Sequence, residues 1–223
     1  SSLKDLLKKY NLVDIDLRHK GEWNSFIKTQ FLNARGVKFR SISVIAPIWE
    51  LVNHGVRKFP FIVKKDGIST SNYISSNCEI RHSYNNLSPS RRFFSYGFFS
   101  EESIVFSMPF TVNLKKLGIY ISCKGNNLQD DYIRIARSKK QIILDGLPIA
   151  DANNPRMPYA YFDEIIRKIE DINLPQEFLS NIFQLNISMR KEVIYECLLL
   201  GSDASKTLSR VMQYEINLIS SHN

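Results

Sequence analysis

The side chains able to do chemistry concentrate between Pro47 and Phe98. One cluster is Pro47-Ile48-Trp49-Glu50-Leu51-Val52-Asn53-His54, an apolar run ending on an amide beside an imidazole. A second is Glu79-Ile80-Arg81-His82-Ser83-Tyr84, followed by Arg91-Arg92-Phe93-Phe94-Ser95-Tyr96-Gly97-Phe98. Taken singly, each group has an ordinary structural reading. His54 reads as a surface or satisfied core histidine, Tyr84 as a strand-end aromatic, and Tyr96 as a helix-end core aromatic beside Gly97. Arg35, upstream of both clusters, reads as a cation neutralising the negative end of a helix dipole. Other chemistries lack their residues. The chain contains no Gly-x-x-x-x-Gly-Lys, no Gly-x-Ser-x-Gly and no His-Glu-x-x-His, and its acidic residues make no evident carboxylate pair. No Gly-rich strand-to-helix turn points to a doubly wound nucleotide fold. Three cysteines, Cys78, Cys123 and Cys197, are odd in number and widely spaced, which supports neither a disulfide framework nor a zinc site. No metal is expected.

The elements that must position these groups follow from periodicity. Leu3, Leu6, Leu7 and Tyr10 share one helical face, with Ser2 placed to cap it and Asp5 three residues on. Trp23, Phe26, Ile27 and Phe31 predict a second helix from Glu22 to about Ala34, stopped by Gly36. Alternation then replaces the helical period. Strands are expected at 41–45, 59–63, 68–74 and 78–83, with a turn at Lys65-Asp66-Gly67. Leu87 to Phe94 reads as a helix, entered through Asn85-Asn86 or Ser88-Pro89 and ended by Gly97. Extended segments are expected at 104–106, 108–110, 117–122, 132–136 and 141–144. From Tyr159 onward four apolar stripes predict helices around 161–169, 178–183, 193–199 and 204–219.

Length and composition bound the rest. The 223 residues allow one large domain or two small ones, and 43% hydrophobic with 23% charged residues is the balance of a globular protein. No apolar run reaches the roughly 20 residues that span a bilayer, so no membrane partner is expected. The start, Ser1-Ser2-Leu3-Lys4-Asp5, lacks a signal-peptide layout; an intracellular address, cytoplasmic or nuclear, is the expectation. A net charge of +8 favours an acidic partner. The basic doublets at Lys8-Lys9, Lys64-Lys65, Arg91-Arg92, Lys115-Lys116, Lys139-Lys140 and Arg190-Lys191 are dispersed and read mainly as solvated surface.

An Asn-His pair closing an apolar segment, then strands, then a strand-terminal Tyr, then a helix closing on Tyr-Gly-Phe, resembles the catalytic half of a SET-domain protein lysine methyltransferase. Within that family the order is most similar to the Rubisco large-subunit methyltransferase subfamily, which has a helical domain after the SET fold and needs no Cys-rich zinc-binding flanks. Motifs carry the resemblance over roughly residues 22 to 110. It implies an α+β fold: the C-terminal part of a SET-type β fold with inserted helices, then a mainly helical C-terminal domain. The expected domains are 1–110, a partial SET-like domain with inserted helices at 1–36, and 111–223, a helical domain that binds substrate.

The implied activity moves a methyl group from S-adenosyl-L-methionine to a neutral lysine amine of a protein substrate. Such a transfer needs in-line alignment, a narrow channel and oxygens placed around the methyl. By resemblance, Tyr84 is the catalytic tyrosine at the transfer point. Asn53 and His54 contact the cofactor through amide and backbone groups, at a knot-like crossing that is rare among folds. Arg35, in Phe31-Leu32-Asn33-Ala34-Arg35-Gly36, lies near the donor's carboxylate, and Tyr96 lines the lysine channel. The chain departs from the family pattern at three points. Asn85 replaces the usual Gly after the tyrosine, Glu50 stands where Asp is usual, and no Gly-x-Gly occurs. Two other readings compete: a catalytically inactive SET-like protein-interaction module, and, from charge alone, a nucleic-acid binder whose affinity falls steeply with salt.

Overall fold

The computed structural model describes residues 2–10, 12, 36–39, 42–45, 53–55, 61–65, 67–70, 81–82, 87–115, 118–123, 134–137, 141–168 and 177–222. The chain divides into two compact units, Ile15–Asn86 and a second that combines Ser1–Asp14 with Leu87–Asn223. These boundaries differ from the expected division at 110 and 111. The fold is α+β, with helices beside small sheets.

In the unit Ile15–Asn86, β1 (Gly36–Phe39) pairs antiparallel with β2 (Ile42–Ile45), Gly36 opposite Ile45 and Phe39 opposite Ile42. Gly36, expected to stop a helix, opens β1. The helix expected over 22–34 lies outside the described residues. β3 (Asn53–His54) follows, then the hairpin of β4 (Phe61–Lys64) and β5 (Gly67–Thr70). Lys64 pairs with Gly67, so Gly67 of the expected turn is already in the ladder. β6 (Arg81–His82) completes the unit's described elements.

The other unit begins with α1 (Leu3–Lys9), held by a reciprocal cap. Ser2 Oγ accepts from the Asp5 amide at 3.3 Å, while the Asp5 carboxylate accepts from the Ser2 amide at 2.9 Å. Those bonds from Ser2 hold the Asp5 carboxyl below its ordinary range. α2 (Pro89–Tyr96) starts where the Ser-Pro signal predicts. Ser88 Oγ caps the Arg91 amide at 3.3 Å, proline takes the first turn, and Gly97 terminates the helix at φ 77°, a left-handed conformation that favours glycine.

Six strands follow. β7 (Ile104–Phe106) pairs antiparallel with β12 (Pro148–Asp151), with a register shift between Pro148 and Ala150. β8 (Phe110–Leu114), β9 (Ile119–Cys123), β10 (Arg134–Arg137) and β11 (Gln141–Asp145) form one sheet in the order β10-β11-β9-β8. Its central pair, β11 with β9, is parallel, and the flanking pairs are antiparallel.

Three helices end the chain: α3 (Met157–Lys168), α4 (Phe178–Leu200) and α5 (Asp203–Ser220). The two stripes expected as separate helices around 178–183 and 193–199 are one continuous helix. The break in the stripe comes from Asn186 and Arg190, polar residues that are buried rather than turned to solvent. Val193 and Cys197 of the expected third stripe are in the core, but Leu198 and Leu199 are exposed. One apolar cluster packs Val105, Ile121, Ile142 and Leu144 of the sheets with Phe162, Ile182 and Phe183 of α3 and α4. A second packs Leu6, Tyr10 and Leu12 with Met108, Val193, Cys197, Leu208 and Met212. Among the described residues no helix is long and apolar enough to cross a membrane.

Candidate functional site

In the unit Ile15–Asn86 one segment of each sequence cluster is paired, through β3 and β6. These two-residue strands pair in parallel, Asn53 beside Arg81 and His54 beside His82. Parallel neighbours cannot be joined by a tight turn. The connection here instead runs through the whole β4–β5 hairpin before returning alongside the Asn-His segment. The pairing therefore juxtaposes the end of one sequence cluster with the middle of the other, 28 positions away in register (81 − 53). Only Ser83 separates β6 from Tyr84 in the chain. Arg35 and Tyr84 themselves lie outside the described residues.

Gly55 directly follows β3 and is buried. A Cβ built on it would lie 2.7 Å from Cβ of Arg81, 2.9 Å from Cδ and 3.3 Å from Cγ. The two segments thus approach more closely than any residue with a side chain at position 55 would permit.

Tyr96 belongs to the other unit, as the last residue of α2. It is half-buried, its ring lies 5.7 Å from the Arg92 guanidinium, and Phe98 packs against it at 6.1 Å between centroids. Arg92 is fully buried and pairs through Nε with Glu102 at 2.8 Å. Glu102 Oε1 also accepts from Ser100 Oγ at 3.1 Å, and its backbone carbonyl accepts from the Tyr214 hydroxyl at 3.2 Å. Burial, then the Glu101 and Glu102 carboxylates, push the Tyr214 phenol up from its ordinary pKa. Tyr96 is therefore seated on a buried ion pair.

A second buried ion pair was not singled out by the sequence. Arg190 Nε donates to Glu215 Oε2 at 2.8 Å, with both side chains excluded from solvent. Arg190 Nη1 donates to Asn186 Oδ1 at 2.9 Å and Nη2 to the Phe106 carbonyl at 2.9 Å. The other Glu215 oxygen accepts the Ser90 amide at 2.8 Å, placing a carboxylate at the amino end of α2. Asn186 accepts from the Met108 amide at 2.8 Å and donates to Ser107 Oγ and the Ile182 carbonyl, both at 3.0 Å. Every arm of this network ends on a protein partner, so it fixes α4, α5, α2 and β7 together rather than facing a ligand. Two of the basic residues expected at the surface, Arg92 and Arg190, are thus core residues. The available signal was Asn186 and Arg190 at i, i+4 within an otherwise apolar stripe. Lys8, Lys9, Lys64 and Lys65 are exposed.

Cys123 and Cys197 are buried free thiols. Among the described residues no three His, Cys, Asp or Glu side chains gather in the manner of a metal centre. In comparisons with protein-family models, curated proteins and solved structures, the chain matches none.

Proposed function

We propose that this chain is an S-adenosyl-L-methionine-dependent protein-lysine N-methyltransferase of SET type, acting on a protein that presents a target lysine. One observation carries the reading: the parallel pairing of Asn53–His54 with Arg81–His82, on the threshold of Tyr84. A donor site needs the amide–imidazole segment and the tyrosine strand side by side, and the pairing of β3 with β6 supports that reading.

The residue set also suits the donor's chemistry. The Arg35 guanidinium would pair with the donor's carboxylate, where a planar, permanently charged group is well matched. Asn53 and the backbone at His54 would hold its amino acid portion through hydrogen bonds. The donor's sulfonium, when bound, supplies the methyl group. Tyr84 would direct its hydroxyl oxygen at the transfer point, and Tyr96 would line the channel that admits the substrate lysine as a neutral amine. The +8 net charge suits an acidic protein substrate.

The departures from the family pattern favour a second reading. Asn85 follows Tyr84 where glycine is usual, and no Gly-x-Gly is present. Both fit a catalytically inactive SET-like module that retains the scaffold for binding a protein. Calorimetric titration with S-adenosyl-L-methionine separates the two. The methyltransferase reading expects saturable one-site binding, weakened about tenfold by Asn53→Ala through loss of a charge-assisted hydrogen bond. Tyr84→Phe should retain that binding and slow methyl transfer by about a hundredfold. Absence of binding by the unaltered chain would move the assignment to the inactive module.

A further inference from the structure

The geometry points to Gly55 as a positioning residue for the donor site: it lets the Asn53–His54 strand close onto Arg81. We infer that its missing side chain, not backbone flexibility, is what the site requires. This assignment rests on the methyltransferase reading, and deepens it by naming a residue that touches neither donor nor substrate.

The argument is steric. Gly55 is not among the residues with positive φ, so an L side chain meets no conformational penalty there. What forbids one is space. The built Cβ lies 2.7 Å from the Arg81 Cβ, whereas ordinary carbon contact begins near 3.4 Å. Cβ of Arg81 is fixed by its own backbone, so rotating the arginine side chain cannot relieve the clash. The strands would have to separate by about 0.7 Å (3.4 − 2.7). An interstrand hydrogen bond of about 2.9 Å stretched by that amount passes out of range. Among the described residues β3 and β6 pair over two residues each, so the clash falls beside a ladder of only two described rungs. The pairing of Asn53 with Arg81 and His54 with His82 is therefore contingent on glycine at 55.

The identity of the clashing atom supplies a selective test. Gly55→Ala should weaken S-adenosyl-L-methionine binding at least tenfold, since displacements approaching 1 Å at a positioned site carry penalties of that order or larger. Adding Arg81→Gly removes all three clashing atoms and should restore affinity to within about threefold of the parent, a residual of well under 1 kcal/mol. Adding Arg81→Ala instead leaves the Cβ at 2.7 Å and should not restore it. Titration calorimetry reports stoichiometry and affinity separately. A variant that only folds poorly lowers the binding stoichiometry with Kd unchanged, whereas a displaced site changes Kd.

Loss of affinity in Gly55→Ala with rescue by Arg81→Gly alone supports the assignment. Unchanged affinity in Gly55→Ala, a fall in stoichiometry only, or equal rescue by Arg81→Ala and Arg81→Gly overturns it while leaving the methyltransferase reading intact. Failure of the unaltered chain to bind the donor overturns both.

Discussion

A buried charge in this molecule is expensive to leave unpaired, and that decides what single substitutions do in the unit formed by Ser1–Asp14 and Leu87–Asn223. Arg190 and Glu215 are both excluded from water, and each spends its remaining hydrogen-bonding capacity on backbone or amide partners. Arg190→Ala would leave the buried Glu215 carboxylate without its cation and remove a donor from Asn186 Oδ1 and from the Phe106 carbonyl, so equilibrium denaturation should register a loss of about 3–5 kcal/mol. Arg190→Met with Glu215→Leu, which removes both charges, should cost clearly less. The Lys9–Glu196 pair, by contrast, lies at the surface with Lys9 exposed and Glu196 half-buried, and Lys9→Ala should move the denaturation midpoint little. Cys197 behaves as the burial argument requires: desolvation, and secondarily Glu196, push its thiol up to about 11 from 9.0. A thiol with a raised folded-state pKa contributes stability that is complete below about pH 9 and is lost as pH rises toward about 11. The folded chain at pH 8 should therefore leave Cys197 unalkylated by iodoacetamide, and unfolding in urea should expose it to labelling, as peptide mass analysis would detect.

At the scale of the element, α2 shows where local signals suffice. Ser88, Pro89 and Gly97 specify its two ends, and they set the helix at 89–96, two residues later at each end than the expected 87–94. The Gly97 requirement is conformational: a Cβ there would meet nothing within 4 Å, yet φ is 77°. Gly97→Ala should thus cost about 1 kcal/mol from the left-handed backbone alone, measurable as a lowered thermal midpoint with no change in the folded spectrum. The same reasoning explains what was not legible. Helix α4 reads as two stripes because Asn186 and Arg190 interrupt its apolar face, and only the presence of Ser107, Met108 and Glu215 across the core makes them interior residues. Strand β8 escapes notice past Phe110 because Thr111 and Asn113 face solvent and Lys115-Lys116 follow, the composition of a loop. Strand β12 is buried at Pro148, Ile149 and Ala150, so it lacks the alternation that betrays a half-exposed strand. For the candidate site, the Asn53–His54 and Arg81–His82 segments were visible as clusters. Their register was not, because a parallel pair 28 positions apart leaves no local trace, and Gly55 carries no motif at all.

For the whole molecule the consequential fact is that one unit is interrupted in sequence by the other. The first residues do not belong with their chain neighbours: Leu6, Tyr10 and Leu12 are buried against Met108, Val193, Cys197, Leu208 and Met212. The Leu12 carbonyl accepts from Arg91 Nη1 at 3.3 Å, which brings the end of the leading segment close to the start of α2. Within that unit, Leu12 and Arg91, which flank the 15–86 segment in sequence, are thus in hydrogen-bond contact. A flexible linker of about six residues, able to span on the order of 20 Å, is long enough to replace that segment. The chain so joined, 1–14 to 87–223, should fold cooperatively with both ion pairs and both apolar clusters intact. Removing 1–14 as well should uncover the second cluster. Fully burying one large apolar side chain contributes about 1.5–3 kcal/mol, so losing Leu6, Tyr10 and Leu12 should cost on the order of 5 kcal/mol. Urea titration followed by circular dichroism checks this directly. The joined chain should give one sharp transition, and the fragment 87–223 a midpoint far lower or none. Equal midpoints would mean that the leading helix is an appendage, and that the unit's core is complete without it.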